Sequence, residues 1–146
     1  MIIRLLLIFA FGAFAFGCQG TGSKTDSGVP NVASPIREVS AVEAQPAVDK
    51  AYSQFIDVRT PEEYTSGHAA RAINIPLDDL TANIGRLERN EPVYLICETG
   101  NRSKKAAGVL KEAGFNNVIS VAGGTQAWRG AGLPIETKPP HMPPAK

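Results

Sequence analysis

The segment Cys97-Glu98-Thr99-Gly100-Asn101-Arg102 carries the residue types best suited to covalent chemistry in this chain. It follows the apolar run Val93-Tyr94-Leu95-Ile96 and leads, at Ser103, into a stretch with helical spacing. Backbone N–H groups in the first turn of a helix have no intrahelical partner and point outward, so an anion is stabilised there. A thiolate is such an anion, and it is the thiolate, not the thiol, that acts as nucleophile. Gly100 permits a backbone twist that a side chain would oppose, and Arg102 adds a fixed positive charge. The loop is therefore expected to hold Cys97 as a thiolate, or as a persulfide anion, in a cradle of the amides of Glu98, Thr99, Gly100, Asn101, Arg102 and Ser103. A free cysteine by itself is as often plain core; the strand, glycine, arginine and helix around Cys97 favour the nucleophile.

The flanking sequence supplies elements that can position such a loop. Glu38-Val39 reads as a short first strand. Ser40-Ala41-Val42-Glu43 is a capping box opening a helix to about Tyr52. Phe55-Ile56-Asp57-Val58 is a strand, and Thr60-Pro61-Glu62-Glu63 is a second capping box with proline at the first helical position. Ala72-Ile73-Asn74-Ile75 is a short strand stopped by Pro76, and Leu77 to about Leu87 can be helical. The run ending at Cys97 shows almost no polar alternation, as in a central parallel strand buried on both faces. Ser103 to Ala113 is an amphipathic helix with Ala106, Ala107, Leu110 and Ala113 on its apolar stripe, ended by Gly114. Val118-Ile119-Ser120-Val121 is read as the last strand and Thr125 to Gly130 as a final helix. Strand alternating with helix implies an α/β domain, a parallel sheet of about five strands with helices on both faces. Ligands of such sheets bind beyond the carboxyl ends of the strands, where Asp57-Val58-Arg59, the Cys97 loop and Ala122-Gly123-Gly124 all fall.

The termini have a different character. Arg4 followed by the apolar and small residues Leu5 to Gly17 fits a secretory signal peptide over residues 1–17. The run is shorter than the roughly 20 residues a membrane-spanning helix needs. Ala13-Phe14-Ala15 offers an ordinary cleavage site, while Ala15-Phe16-Gly17-Cys18 resembles a bacterial lipobox with Ala15 and Phe16 off its usual pattern. The second is preferred, because Cys18 would otherwise be an exposed thiol. It implies an exported, periplasmic lipoprotein held to a membrane through Cys18, and Gln19 after that cysteine implies the outer membrane of a Gram-negative host. Residues 18–35 then form a flexible tether, 36–136 the folded domain, and 137–146 a proline-rich, disordered tail. Fifteen basic residues against 14 acidic ones, with no basic run, argue against nucleic acid as a partner. Two distant histidines and one loop thiol do not make a zinc site.

From about Ile36 to Ile135 the chain resembles a single-domain rhodanese. The marks occur in order: Phe55-Ile56-Asp57-Val58-Arg59, Thr60-Pro61-Glu62-Glu63-Tyr64, Gly67-His68, Ala72-Ile73-Asn74-Ile75-Pro76, the Cys97 loop with Ser103, and Gly123-Gly124 followed by Trp128. The resemblance implies a sulfurtransferase. Cys97 would take sulfur from a small donor, thiosulfate or a persulfide, and pass it to a thiol, sulfite or cyanide acceptor, with a protein thiol as a possible partner. No cofactor or metal is implied. Loop length also separates reaction classes within the resemblance. Arg102 is the sixth residue counted from Cys97, as in sulfurtransferases, whereas related phosphatases would need arginine where Ser103 stands. Phosphatase or arsenate-reductase chemistry is thereby disfavoured.

One departure concerns Glu98, where thiosulfate-using members often carry a basic residue. A carboxylate there opposes both a dianion and a thiolate, with Lys104 and Lys105 expected to offset it. Asp57 and Arg59 are expected as a structural polar pair at the exposed active edge more than as substrate contacts. His68 and Trp128 are expected to pack, His141 to be solvated, and Gly123-Gly124 to form a tight turn. The rival reading is a docking module that keeps the fold without turnover.

Overall fold

Two capping boxes and a set of short apolar strands lay down the architecture. The structure, a computed structural model, describes residues 35–50 and 53–139. The expected signal segment, Cys18, the tether up to residue 34, Tyr52 and the tail from residue 140 lie outside the described residues. Strand β1 (Arg37–Val39) leads to Ser40, whose hydroxyl accepts the Glu43 N–H while the Glu43 carboxylate accepts the Ser40 N–H at 2.9 Å. That reciprocal cap opens α1 (Ala41–Val48). The helix ends short of the expected Tyr52. Its last carbonyls are captured locally: Ala47 O accepts the Lys50 N–H at 3.2 Å and the Ser53 hydroxyl at 2.6 Å. Strand β2 (Gln54–Asp57) follows, and then Thr60 caps α2 (Pro61–Thr65) in the same reciprocal manner as Ser40.

Two short strands, β3 (His68–Ala69) and β4 (Ile73–Asn74), precede the region expected to be one helix. That region breaks into a 3-10 turn at Leu77–Asp79, a single helical turn α3 (Leu80–Asn83) and a second 3-10 turn at Ile84–Arg86. Its start is tied to the sheet by Leu77 N–H donating to Val58 O at 3.2 Å. The Asn83 amide takes the Asp79 carbonyl at 2.8 Å, competing with helical pairing. Then come β5 (Val93–Ile96), α4 (Asn101–Glu112), β6 (Val118–Val121), α5 (Gly124–Gly130) and β7 (Ile135–Glu136). Gly114, with φ +88°, ends α4 as its position suggested.

The expected five-stranded parallel sheet is present, in the order β1-β6-β5-β2-β4. Its central strand, β5, pairs Leu95 with Ile56 on one side and with Ser120 on the other. Val118–Val121 is the last strand of this sheet but not of the chain. The antiparallel pair β3–β7, joining His68 to Glu136 and Ala69 to Ile135, was not foreseen. Two-residue strands carry no detectable period, and their pairing is non-local.

The pleat sends alternate side chains into two cores. Ile56 and Leu95 point to the face covered by α3 and α4, where Leu80, Ala106, Ala107, Leu110 and Phe115 are buried. Phe55 and Ile96 point to the face covered by α1, α2 and α5, with Ala44, Val48, Tyr64 and Trp128. Trp128 lies 5.4 Å from Phe55, ring centroid to centroid, and its indole N–H donates to Pro134 O at 3.0 Å. Because all five strands run in parallel, β2, β5 and β6 end along one edge, and the candidate site is built there. Leu110 is fully buried beneath α4, so Leu110→Ala is expected to cost about 2–5 kcal/mol in urea denaturation.

Candidate active site

Cys97 sits where β5 stops, and its residue is 1% exposed. Its Sγ accepts the Gly100 N–H at 3.1 Å. Gly100 has φ +95° and is the N-cap of α4, so the thiol lies against the amide end of that helix; of the amides expected to cradle the sulfur, that of Gly100 donates to it. The thiol also faces the Ser103 hydroxyl at 3.7 Å. Ser103 is itself fully buried, donating to Gly100 O at 2.9 Å and lying 2.9 Å from the Ser120 hydroxyl. One hydroxyl thus links the loop, the start of α4 and strand β6. Thr99 and Asn101 are exposed on the outer side of the loop.

The loop is gripped from behind by α5. Cys97 O accepts the Thr125 N–H at 2.7 Å and the Thr125 hydroxyl at 3.2 Å, and Glu98 O accepts the Gln126 N–H at 3.2 Å. These are orphan donors of the first turn of α5, so loop and helix end satisfy one another. Such close approach requires Gly124. With φ +57°, a Cβ there would stand 2.1 Å from Cys97 O and 2.7 Å from Glu98 O. The pair Gly123-Gly124 is therefore a tight turn, as expected, and Gly124 is also a steric requirement of the cysteine loop.

Asp57 and Arg59 are a structural pair, but a buried one, with 0% and 1% exposure. The Arg59 Nε donates to both Asp57 oxygens at 3.0 Å, and Nη2 donates to Asp57 Oδ2 at 2.8 Å and to Gly67 O at 2.9 Å. Nη1 reaches the Glu98 carboxylate at 2.9 Å. Burial works against the Arg59 charge, yet the hydrogen bonds and charge of Asp57, followed by Glu98, raise its pKa above the ordinary arginine value. Asn74 braces this corner, donating to Asp57 O at 3.0 Å and Arg59 O at 2.9 Å.

Glu98 is compensated, though not by the residues expected. Arg59 at 2.9 Å and Arg129 at 3.8 Å hold its carboxylate, while Lys104 pairs with Glu38 at 3.4 Å and Lys105 is exposed on α4. Arg102 does not stand as a free charge over the loop either. Its two terminal nitrogens each donate to Glu63 at 2.6 Å. Glu63 and Arg129 are the site residues that sequence reasoning missed. Glu63 carried a visible signal, but only as the end of a capping box; Arg129 carried none, since its role depends on where α5 docks. His68 packs as expected, stacked 3.6 Å from Tyr64 with Nδ1 2.9 Å from Tyr64 O. Burial first, and then the nearby Asp57 and Glu136 charges, push the Tyr64 phenol up to about 12. It therefore stays protonated and donates to Ala72 O at 2.6 Å.

The sequence profile described as Rhodanese-like domain matches residues 40–131. This chain belongs to the rhodanese-like family. Among relatives of this rhodanese-like chain, YrkF of Bacillus subtilis is 37% identical over 99 residues, 67% of this chain and 54% of YrkF. The chain thus spans about half the length of that relative. Thiosulfate sulfurtransferase GlpE of Vibrio cholerae is 33% identical over 93 residues, 64% of this chain and 88% of GlpE. A crystal structure of a rhodanese-related protein from Thermoplasma volcanium superposes with TM-score 0.64 and 33% identity, over 70% of this chain and 99% of that one.

Two outcomes test this geometry. Gly124→Ala is expected to cost about 2–4 kcal/mol in urea denaturation, from overpacking and a left-handed backbone. Gly85→Ala, where a Cβ would meet nothing within 4 Å, should stay within about 0.5 kcal/mol of the parent. The second outcome concerns Glu63, whose pKa is held at about 2, chiefly by the hydrogen bonds from Arg102 and against the upward pull of burial. A carboxyl with a depressed folded pKa adds stability that is full above its unfolded pKa and is lost as pH falls toward the folded one. The melting-temperature advantage of the native chain over Glu63→Gln is thus expected at neutral pH. It should fade as pH drops from 4.5 toward about 2, as followed by circular-dichroism melts.

Proposed function

We propose that this rhodanese-like domain is a sulfurtransferase in which Cys97 carries sulfur as a persulfide. The Cys97 thiolate attacks the outer sulfur of a donor, forming a sulfur–sulfur bond as the bond to the rest of the donor breaks. The leaving group departs with the bonding electrons, as sulfite from thiosulfate or as a thiolate from a persulfide. A thiol, sulfite or cyanide acceptor then attacks the outer sulfur of Cys97–S–S⁻ and returns Cys97 as the thiolate. Neither step needs an external oxidant or reductant.

The observation that carries this reading is the Gly100 N–H donated to Cys97 Sγ at 3.1 Å from the amide end of α4. A negative sulfur is favoured at such a helix end. Donors already aimed at the charge need no reorganisation during reaction. The sulfurtransferase name of the Vibrio relative agrees with the same chemistry.

Intact mass spectrometry of residues 19–146 provides the test. Incubation with thiosulfate or a hydropersulfide should add one sulfur atom, cyanide should remove it, and Cys97→Ser should never acquire it. A chain that gains no sulfur from either donor is not a sulfurtransferase, and the docking-module reading takes its place.

A further inference from the structure

We infer that the site loads from an alkyl hydropersulfide in preference to a dianionic donor such as thiosulfate, and that Glu98 determines this specificity. The inference rests on the sulfur-transfer reading above and adds the charge class of the donor.

The cations that converge on the loop are matched. Arg59 is held by Asp57 and Glu98, Arg102 by both oxygens of Glu63, and Arg129 by Glu98. Three guanidinium groups, Arg59, Arg102 and Arg129, face three carboxylates, Asp57, Glu63 and Glu98, so their formal charges cancel. Lys104 is turned to Glu38, and Lys105 lies exposed on the second turn of α4. The buried Arg59 pairs are not readily redirected to a ligand. Arg59 has an acceptor on each of its three nitrogens and is 1% exposed. Arg102 is engaged through both terminal nitrogens.

The hydrogen bond on offer at the sulfur is the backbone N–H of Gly100, backed by the partial charge of the α4 terminus and, at longer range, by the Glu63-paired Arg102. Loading from thiosulfate brings −1 and −2 together: Cys97–S⁻ with ⁻S–SO3⁻ gives Cys97–S–S⁻ and SO3²⁻. A hydropersulfide carries at most one charge and reacts through its protonated form: Cys97–S⁻ with RS–SH gives Cys97–S–SH and RS⁻, and the proton then passes to the thiolate. Glu98 adjoins the nucleophile in sequence, and by engaging Arg59 and Arg129 it keeps both guanidinium groups from serving a dianion.

The test uses the whole chain and follows sulfur loading by quench-flow and intact mass, with thiosulfate and with cysteine hydropersulfide as donors. For a thiolate facing a dianion where the neighbouring guanidinium groups are already paired, screening by salt should accelerate loading. Thiosulfate loading is thus expected to rise between about 0.02 and 0.3 M ionic strength, with hydropersulfide loading nearly unchanged. Glu98→Gln keeps an acceptor for Arg59 and removes one charge. It should raise the ratio of thiosulfate to hydropersulfide rate constants roughly tenfold, the effect of one charge on a dianion about 6 Å away in water. Taking the ratio removes the intrinsic reactivity of the two donors. Thiosulfate loading that slows with salt, or a folded Glu98→Gln chain with an unchanged ratio, overturns the inference and leaves sulfur transfer standing. Should Glu98→Gln not fold, the salt dependence of the native chain decides alone. Loading from neither donor overturns the sulfurtransferase reading and this inference with it.

Discussion

A guanidinium taken out of water must find an acceptor for its N–H groups, and the placement of Arg59 imposes that demand on the whole active edge. Its partners are drawn from three separate segments: Asp57 at the end of β2, Gly67 before β3, and Glu98 in the loop after β5. Removing one partner from a buried pair of this kind costs about 3–5 kcal/mol, because the other charge is left stranded. The corner at residues 57–59, the turn at Gly67 and the cysteine loop are thereby locked into a single arrangement. Arg129 reinforces it, donating to Gly67 O at 2.8 Å and standing 3.8 Å from Glu98.

The second clamp on the loop is uncharged. Two carbonyls, of Cys97 and Glu98, close against the first amides of α5, and the sulfur itself closes against the N-cap amide of α4. Each helix end satisfies backbone groups that a loop would otherwise expose or strand. For the proposed chemistry this means that the dipoles facing the sulfur are fixed by the fold before any donor arrives. The steric condition is severe at Gly124, where the peptide of Cys97 and Glu98 occupies the space a side chain would need. The Glu63–Arg102 pair contributes in another way. It lies partly in solvent, so its contribution to stability is modest, and it holds the Arg102 side chain against α2.

Most of the fold could be read from local pattern. The capping boxes at Ser40 and Thr60, the apolar run at Val93–Ile96, the stripe on α4 and the glycine that ends it are each specified by residues near one another in sequence. The structure departs from local pattern where local and distant forces compete. The segment from Leu77 to Leu87 has helical spacing but folds as three short turns, since its start bonds to Val58 and Asn83 takes a helical carbonyl. The pair β3–β7 is invisible locally, because two residues carry no period and each strand exists only through the other.

The same division holds at the site. The sequence by itself determined that Cys97 lies between a buried strand and a helix start, and that Gly100 makes the turn. Strand ends, caps and left-handed glycines are properties of contiguous residues. Tertiary structure alone decided the electrostatics. Glu98 is matched by Arg59 and Arg129 and not by its neighbours Lys104 and Lys105, and Arg102 is committed to Glu63. Charge compensation depends on distances of about 3 Å between groups that the chain separates by many residues, and only the packing of β2, α2 and α5 around the loop sets those distances.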